Sequence, residues 1–119
     1  MKLPKVTPAA EALFAKLLAL DDRLEPRKMF GQPAAFVQGN MCLGAFGEDV
    51  FLRLSPEDHG VASKISGTRP FEPMRGRPMR QYLVFPPAVL NDRTQSCRWV
   101  ERSVTFTRSL PAKRTKARR

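Results

Sequence analysis

The run Ala34-Ala35-Phe36-Val37-Gln38-Gly39-Asn40-Met41-Cys42-Leu43-Gly44-Ala45-Phe46-Gly47-Glu48-Asp49-Val50-Phe51-Leu52-Arg53-Leu54 breaks apolar stretches with two turn signals. Gly39-Asn40 is a tight-turn dipeptide, and Gly47-Glu48-Asp49 makes the next turn. The spacing predicts strands over Ala34–Gln38, Met41–Phe46 and Val50–Leu54. In the last of these, Val50, Leu52 and Leu54 share one face and Arg53 takes the other, the pattern of a half-buried antiparallel strand. Strands joined by such short turns pair antiparallel, so this run forms the middle of an antiparallel sheet.

Upstream, Pro26 separates a short strand, Arg27–Phe30, from the N-terminal part, and Gly31 and Pro33 close it. Thr7 offers an N-cap and Pro8 the first helical position. Ala10, Leu13, Phe14, Leu17 and Leu18 then recur at helical spacing, which predicts an amphipathic helix over Pro8–Asp22 after a loose segment 1–6. Downstream, Ser55-Pro56-Glu57-Asp58 starts a short helix that Gly60 weakens and that ends near Ser66. Gln81–Phe85 reads as a last strand, stopped by Pro86-Pro87. Asn91 or Asp92 caps a final helix, with Gln95 placed to complete a capping box. Trp99, Val100, Ser103, Phe106, Thr107 and Leu110 repeat along it, and Pro111 ends it. The expected fold is a two-layer α+β sandwich: a mainly antiparallel sheet of about five strands against N- and C-terminal helices. Residues 1–111 make the single domain, and 112–119 make a disordered basic tail.

Composition narrows the function classes. At 119 residues and 42% hydrophobic, the chain can bury a core of its own. No apolar run approaches the ~20 residues of a membrane span, and the N-terminus has no secretory h-region. A cytoplasmic protein with no membrane contact is the expectation. Cys42 and Cys97 share no C-x-x-C motif and read as reduced thiols packed as small apolar groups. One histidine, His59, leaves a zinc site of ordinary composition without enough ligands. There is no G-x-S-x-G, no P-loop and no G-x-G-x-x-G. The reading is not an enzyme and no cofactor.

Charge points to a binding role. Formal net charge is +10, and Lys113, Arg114, Lys116, Arg118 and Arg119 contribute +5 of it in a tail without an acid. Such a balance favours acidic proteins, nucleic acid or anionic surfaces. The remaining +5 belongs to the folded part, where the stretch Gly67–Tyr82 holds three prolines, two glycines and Arg69, Arg75, Arg77 and Arg80. The prolines block a continuous helix or ladder, so the stretch reads as an ordered loop, with Phe71, Met74 and Met79 buried beneath it. Arg75 and Arg77 flank Gly76 and should point outward; Arg53 joins them if its strand face meets the loop. The candidate anion- or partner-binding residues are therefore Arg53, Arg69, Arg75, Arg77, Arg80, Lys113, Arg114 and Lys116. The alternative is structural: the arginines clamp the loop through Glu72 or backbone carbonyls.

A set of ordered segments resembles the N-terminal domain of the TfoX/Sxy proteins. They are Arg27-Lys28-Met29-Phe30-Gly31, Phe36-Val37, Gly39-Asn40-Met41, Leu52-Arg53-Leu54, Arg69-Pro70-Phe71-Glu72-Pro73-Met74 and Gly76-Arg77-Pro78-Met79, with Trp99 and Ser109-Leu110-Pro111 completing the set. Gln32-Pro33 stands where the family often continues with another glycine. The resemblance covers roughly residues 10–111. It implies an α+β fold with an antiparallel sheet, no cofactor and no known active site, in a bacterial protein. Longer members regulate competence genes with a cyclic-AMP receptor protein and carry a second, helical domain; here a basic tail follows Pro111, so the competence role is not carried over. The expectation is a non-enzymatic regulatory or protein-binding module, monomer or homodimer, with a transcription co-regulator as one form of it. The alternative is direct nucleic-acid binding by the arginine-rich loop and the tail, which a steep salt dependence would reveal.

Overall fold

The computed structural model describes residues 4–29 and 31–113. Helix α1 spans Pro8–Leu18, with the Thr7 hydroxyl accepting the Ala10 N–H and Pro8 in the first turn. It buries Ala10, Leu13, Phe14 and Leu17. It stops before the expected Asp22: Asp21 instead accepts both the Arg23 N–H and its guanidinium. A side chain that satisfies its own neighbourhood in this way competes with the helix ladder.

Six strands follow: β1 Glu25–Met29, β2 Gln32–Val37, β3 Asn40–Phe46, β4 Asp49–Arg53, β5 Arg69–Pro70 and β6 Tyr82–Phe85. The sheet order is β1-β2-β3-β4-β6-β5, with every neighbouring pair antiparallel. Pro26 lies inside β1 rather than ahead of it. β1 is an edge strand, where a missing N–H can face away from the ladder. The first hairpin turn falls one residue earlier than expected, at Gln38 and Gly39, whose φ values are +52° and +83°. Two positive φ angles are what a type I′ hairpin turn requires. Asn40 is thereby released into β3, where its side chain donates to the Pro111 carbonyl.

Between β2 and β3 the pairing slips. Ala35 faces Leu43 while Phe36 faces Met41, so Cys42 is the extra residue of a bulge. Cys42 and Leu43 consequently both join the core beneath the helices. Helix α2, Pro56–Ala62, is capped by Ser55 and ends before the expected Ser66. Pro86-Pro87 stops β6 but also opens a one-turn helix, α3 Pro87–Leu90, that the sequence pattern did not signal. Pro87 suits its first position because no N–H is needed there. Helix α4, Arg93–Ser109, is capped by Asp92, which accepts the Gln95 N–H.

One sheet face packs on α1, α3 and α4. Its core includes Leu17, Val37, Leu43, Leu52, Leu54, Leu83, Phe85, Trp99, Val100 and Val104. This is the expected α+β arrangement, with six strands rather than about five because Arg69–Pro70 adds a short edge to β6. Trp99 is only 5% exposed and its ring lies 5.7 Å from that of Phe85. Both cysteines are unbridged, as expected. Cys97, however, is exposed on α4 rather than packed, while the Cys42 sulfur lies 3.2 Å from the Ser103 hydroxyl in the core.

The other sheet face is not bare. Ala34, Met41, Phe51, Tyr82 and Val84 form a second apolar cluster there, and Phe71 closes it from the far side. Gly44 makes this closure fit: a Cβ on it would come within 2.8 Å of the Phe51 ring and 3.2 Å of the Pro33 carbonyl.

Two substitutions test the two faces. Trp99→Ala should cost roughly 3–5 kcal/mol, read as a fall in the denaturant midpoint; a wild-type midpoint would mean that Trp99 does not join the helices to the sheet. Gly44→Ala should cost about 1–3 kcal/mol by forcing the Phe51 ring aside. An unchanged melting curve would show that this ring is not held in place.

Candidate functional site

The stretch after β5 folds back as a small hairpin. Phe71 accepts the Met79 N–H at its carbonyl (2.8 Å), and Met74 accepts the Arg77 N–H (2.9 Å) across an isolated antiparallel bridge. Gly76 takes φ +77° at the tip, an angle that side chains rarely adopt. The Glu72 carboxylate reaches across and accepts the Gly76 N–H. The hairpin is therefore closed by its own backbone and one carboxylate, and among the described residues the side chains of Arg75, Arg77 and Arg80 take no part.

Phe71 anchors it to the sheet. Its ring is 4% exposed and lies on Phe51 with centroids 3.9 Å apart and planes 16° from parallel. It also meets Phe46 and Tyr82 edge-on, at 5.6 and 6.3 Å. Burying one such ring contributes about 1.5–3 kcal/mol. Met79 is half-buried against the same cluster. Met74 is 49% exposed, against the expectation that all three apolar residues would be buried. Its place near the tip, beside the turn, puts it beyond the reach of the sheet.

The candidate arginines divide into two groups. Arg53 does lie on the face the hairpin covers, but it is engaged: its Nε donates to the Gln81 side chain (2.7 Å), one Nη to the Met41 carbonyl (3.2 Å), and its guanidinium sits 5.2 Å from the Tyr82 ring centre. Arg69 pairs with Asp49 across the strand edge. Arg75, Arg77 and Arg80 are exposed, and no ion pair of theirs occurs among the described residues. Arg53 and Arg69 are thus engaged inside the molecule, though neither meets Glu72, whereas the side chains of the other three make no such contact among the described residues. Lys113 is exposed, but its backbone N–H donates to the Gln38 carbonyl, so the start of the expected tail lies against the β2–β3 turn. Arg114 and Lys116 lie outside the described residues.

Between hairpin and sheet there is a cavity of about 60 Å³, walled by carbon from Met29, Ala34, Met41, Phe46, Phe51 and Met79 among others. Nothing in the sequence pattern marked it, because its walls come from β1, β2, β3, β4 and the hairpin together. A second basic surface was also missed. On α4, Arg93, Arg98, Arg102 and Arg108 are exposed with one acid, Glu101, among them. Arg102 is paired with Asp58 of α2. Helical spacing of Arg98 and Arg102 was the available signal. No group of three or more histidine, cysteine, aspartate or glutamate side chains that could hold a metal occurs among the described residues, and no helix among them is long and apolar enough to cross a membrane.

His59 is half-buried, its Nε2 3.3 Å from the Tyr82 carbonyl. Tyr82 is the most perturbed group of the face. Its hydroxyl donates to the Met41 carbonyl at 2.9 Å, next to the bulge. Burial pushes its pKa up to about 12, with the Arg53 guanidinium pulling the other way. Burial likewise raises the Cys42 thiol, against the hydrogen bond from Ser103.

The Tyr82 shift has a consequence for stability. Above pH ~10 the unfolded chain has lost a phenolic proton that the folded chain still holds. The stabilisation is thus complete below about pH 10 and is lost as pH rises towards 12. It amounts to about 2–3 kcal/mol at ~1.4 kcal/mol per unit. Tyr82→Phe should flatten this alkaline decline in a series of urea melts, since phenylalanine has no proton to lose. A variant that declines as steeply as wild type would show that Tyr82 is not the titrating group.

A family model described as the TfoX N-terminal domain matches residues 13–107. No curated protein and no solved structure matches the chain.

Proposed function

This chain belongs to the TfoX N-terminal domain family, and from that premise we propose that it is a regulatory, non-catalytic protein-binding module that engages an acidic partner through the hairpin after β5. One observation carries the reading. Arg75, Arg77 and Arg80 are displayed on a hairpin that is held in place without them. An arginine presents a planar donor fork that matches a carboxylate. A support that is already ordered removes part of the entropy cost of binding. Arg53 and Arg69 do not serve this role, because their donors are directed at Met41, Gln81 and Asp49.

Direct nucleic-acid binding is the second reading, favoured by the exposed arginines of α4 and the net charge of +10. The hairpin face suits it less well. The stacked rings of Phe51 and Phe71 are buried and offer no flat platform to a base.

The double substitution Arg75→Ala, Arg77→Ala should leave stability within about 0.5 kcal/mol of wild type, as for exposed residues outside special features. It should weaken capture of acidic proteins from nuclease-treated native lysate. A larger loss of stability with unchanged capture would end the claim for the hairpin. Duplex DNA binding that falls steeply with salt, and is untouched by the double substitution, would favour the second reading through α4.

A further inference from the structure

The cavity under the hairpin is specific in what it admits. At about 60 Å³ it is far smaller than the ~300–1,000 Å³ of sites for whole small molecules. Water is poorly suited to it, since a buried water needs two to four polar partners. Among the described residues Gln32 is the sole polar side chain in the lining, and its amide donates to the Pro4 carbonyl. What fits is the end of one aliphatic side chain. Three of the walls are methionines, Met29, Met41 and Met79, whose unbranched, polarizable side chains adapt to irregular guests. Met29, Phe46 and Met79 are only partly buried, which places the mouth of the cavity at their side.

The cavity wall has mostly basic neighbours along the chain. The hairpin that supplies Phe71, Pro73 and Met79 to the cavity wall also carries Arg75, Arg77 and Arg80. Its only acid, Glu72, is turned inward onto the Gly76 N–H. On β1, Arg27 stands across from Ala34, a residue of the cavity wall, with its guanidinium 5.1 Å from the Phe36 ring centre and 3.3 Å from the Glu25 carboxylate, so it is already paired.

We propose that the cavity and the hairpin arginines form one docking site for an acidic protein segment bearing a single aliphatic anchor residue. This rests on the binding-module reading above and adds the identity of the recognised chemistry. The anchor enters between Met29, Met41 and Met79, and flanking aspartates and glutamates meet Arg75, Arg77 and Arg80. A flat nucleic-acid base is too large for the cavity, so the charge and the cavity together favour a peptide over an oligonucleotide.

Methyl NMR of the full chain with labelled methionines reads the site directly, because Met29, Met41 and Met79 line the cavity and Met74 stands outside it. The probes are a synthetic peptide of about ten acidic residues with one central leucine, the same peptide with alanine at that place, and a thymidine oligonucleotide of similar length. The leucine peptide should shift the Met29, Met41 and Met79 methyls saturably. It should bind about ten-fold or more tightly than the alanine peptide, since that difference is the burial of a few carbon atoms. Both affinities should fall with added salt and in the Arg75→Ala, Arg77→Ala variant. Equal affinity for the leucine and alanine peptides, or binding that leaves Met41 and Met79 unmoved, would overturn the docking site while leaving the anion-binding function in place. An oligonucleotide that moves the same methyls and displaces the peptide would overturn it in favour of nucleic acid. No binding of any of the three probes would refute both the docking site and the function it rests on.

Discussion

The flat contact between Phe71 and Phe51 is what gives the sheet its second covered face. It exists because Gly44 has no side chain: the strand next to β4 leaves room for the Phe51 ring to lie down, and Phe71 then closes over it. Stacked and edge-on aromatic pairs add roughly 0.5–1.5 kcal/mol each beyond burial, and Phe71 takes part in three of them. This is a short list of contacts for a segment with three prolines and exposed arginines. It suffices because the hairpin closes its own backbone hydrogen bonds and needs only one deep anchor.

That economy separates structure from display. Arg53 is spent on the fold: with the Tyr82 hydroxyl it supplies donors to the carbonyl of Met41, the residue before the bulged Cys42. Its place over the Tyr82 ring adds a cation–π attraction. Arg69 is balanced by Asp49, an exposed pair that contributes little to stability. The hairpin arginines carry no such duties among the described residues. A cation without an internal partner keeps its donors for something outside the molecule, which is why the binding reading concentrates on these three and not on the full basic complement of the chain.

The antiparallel meander, the helices α1, α2 and α4 and their caps were legible in local signals: Thr7 and Ser55 as caps, helical repeats at Leu13, Phe14 and Leu17, and alternation at Val50, Leu52 and Leu54. These depend on neighbours within a few residues, and that is where sequence pattern carries its information. The errors also have physical sources. Proline was read as a breaker at Pro26 and Pro33, but Pro26 is harmless because β1 is an edge strand, and Pro33 because it lies near the start of β2, before the pairing with β3 begins at Ala34. The tight turn shifted to Gln38-Gly39 because Gln38 adopts a positive φ that its residue type does not advertise. Helix α3 is a single turn, too short to produce a periodic pattern.

By itself the sequence determined the α+β class, the helix-covered core and the presence of an arginine-rich, proline-punctuated segment that could be neither helix nor linker. Those properties follow from spacing, from proline's fixed φ and from the count of charges. Only the tertiary structure decided which arginines are engaged, that Met74 is exposed while Phe71 is sealed, and that a small apolar cavity lies under the basic hairpin. The reason is distance along the chain. Gly44, Phe51, Phe71 and Tyr82 meet only because β3, β4 and β6 are neighbours in the sheet, and whether a charge is paired depends on such long-range neighbours rather than on the residues beside it.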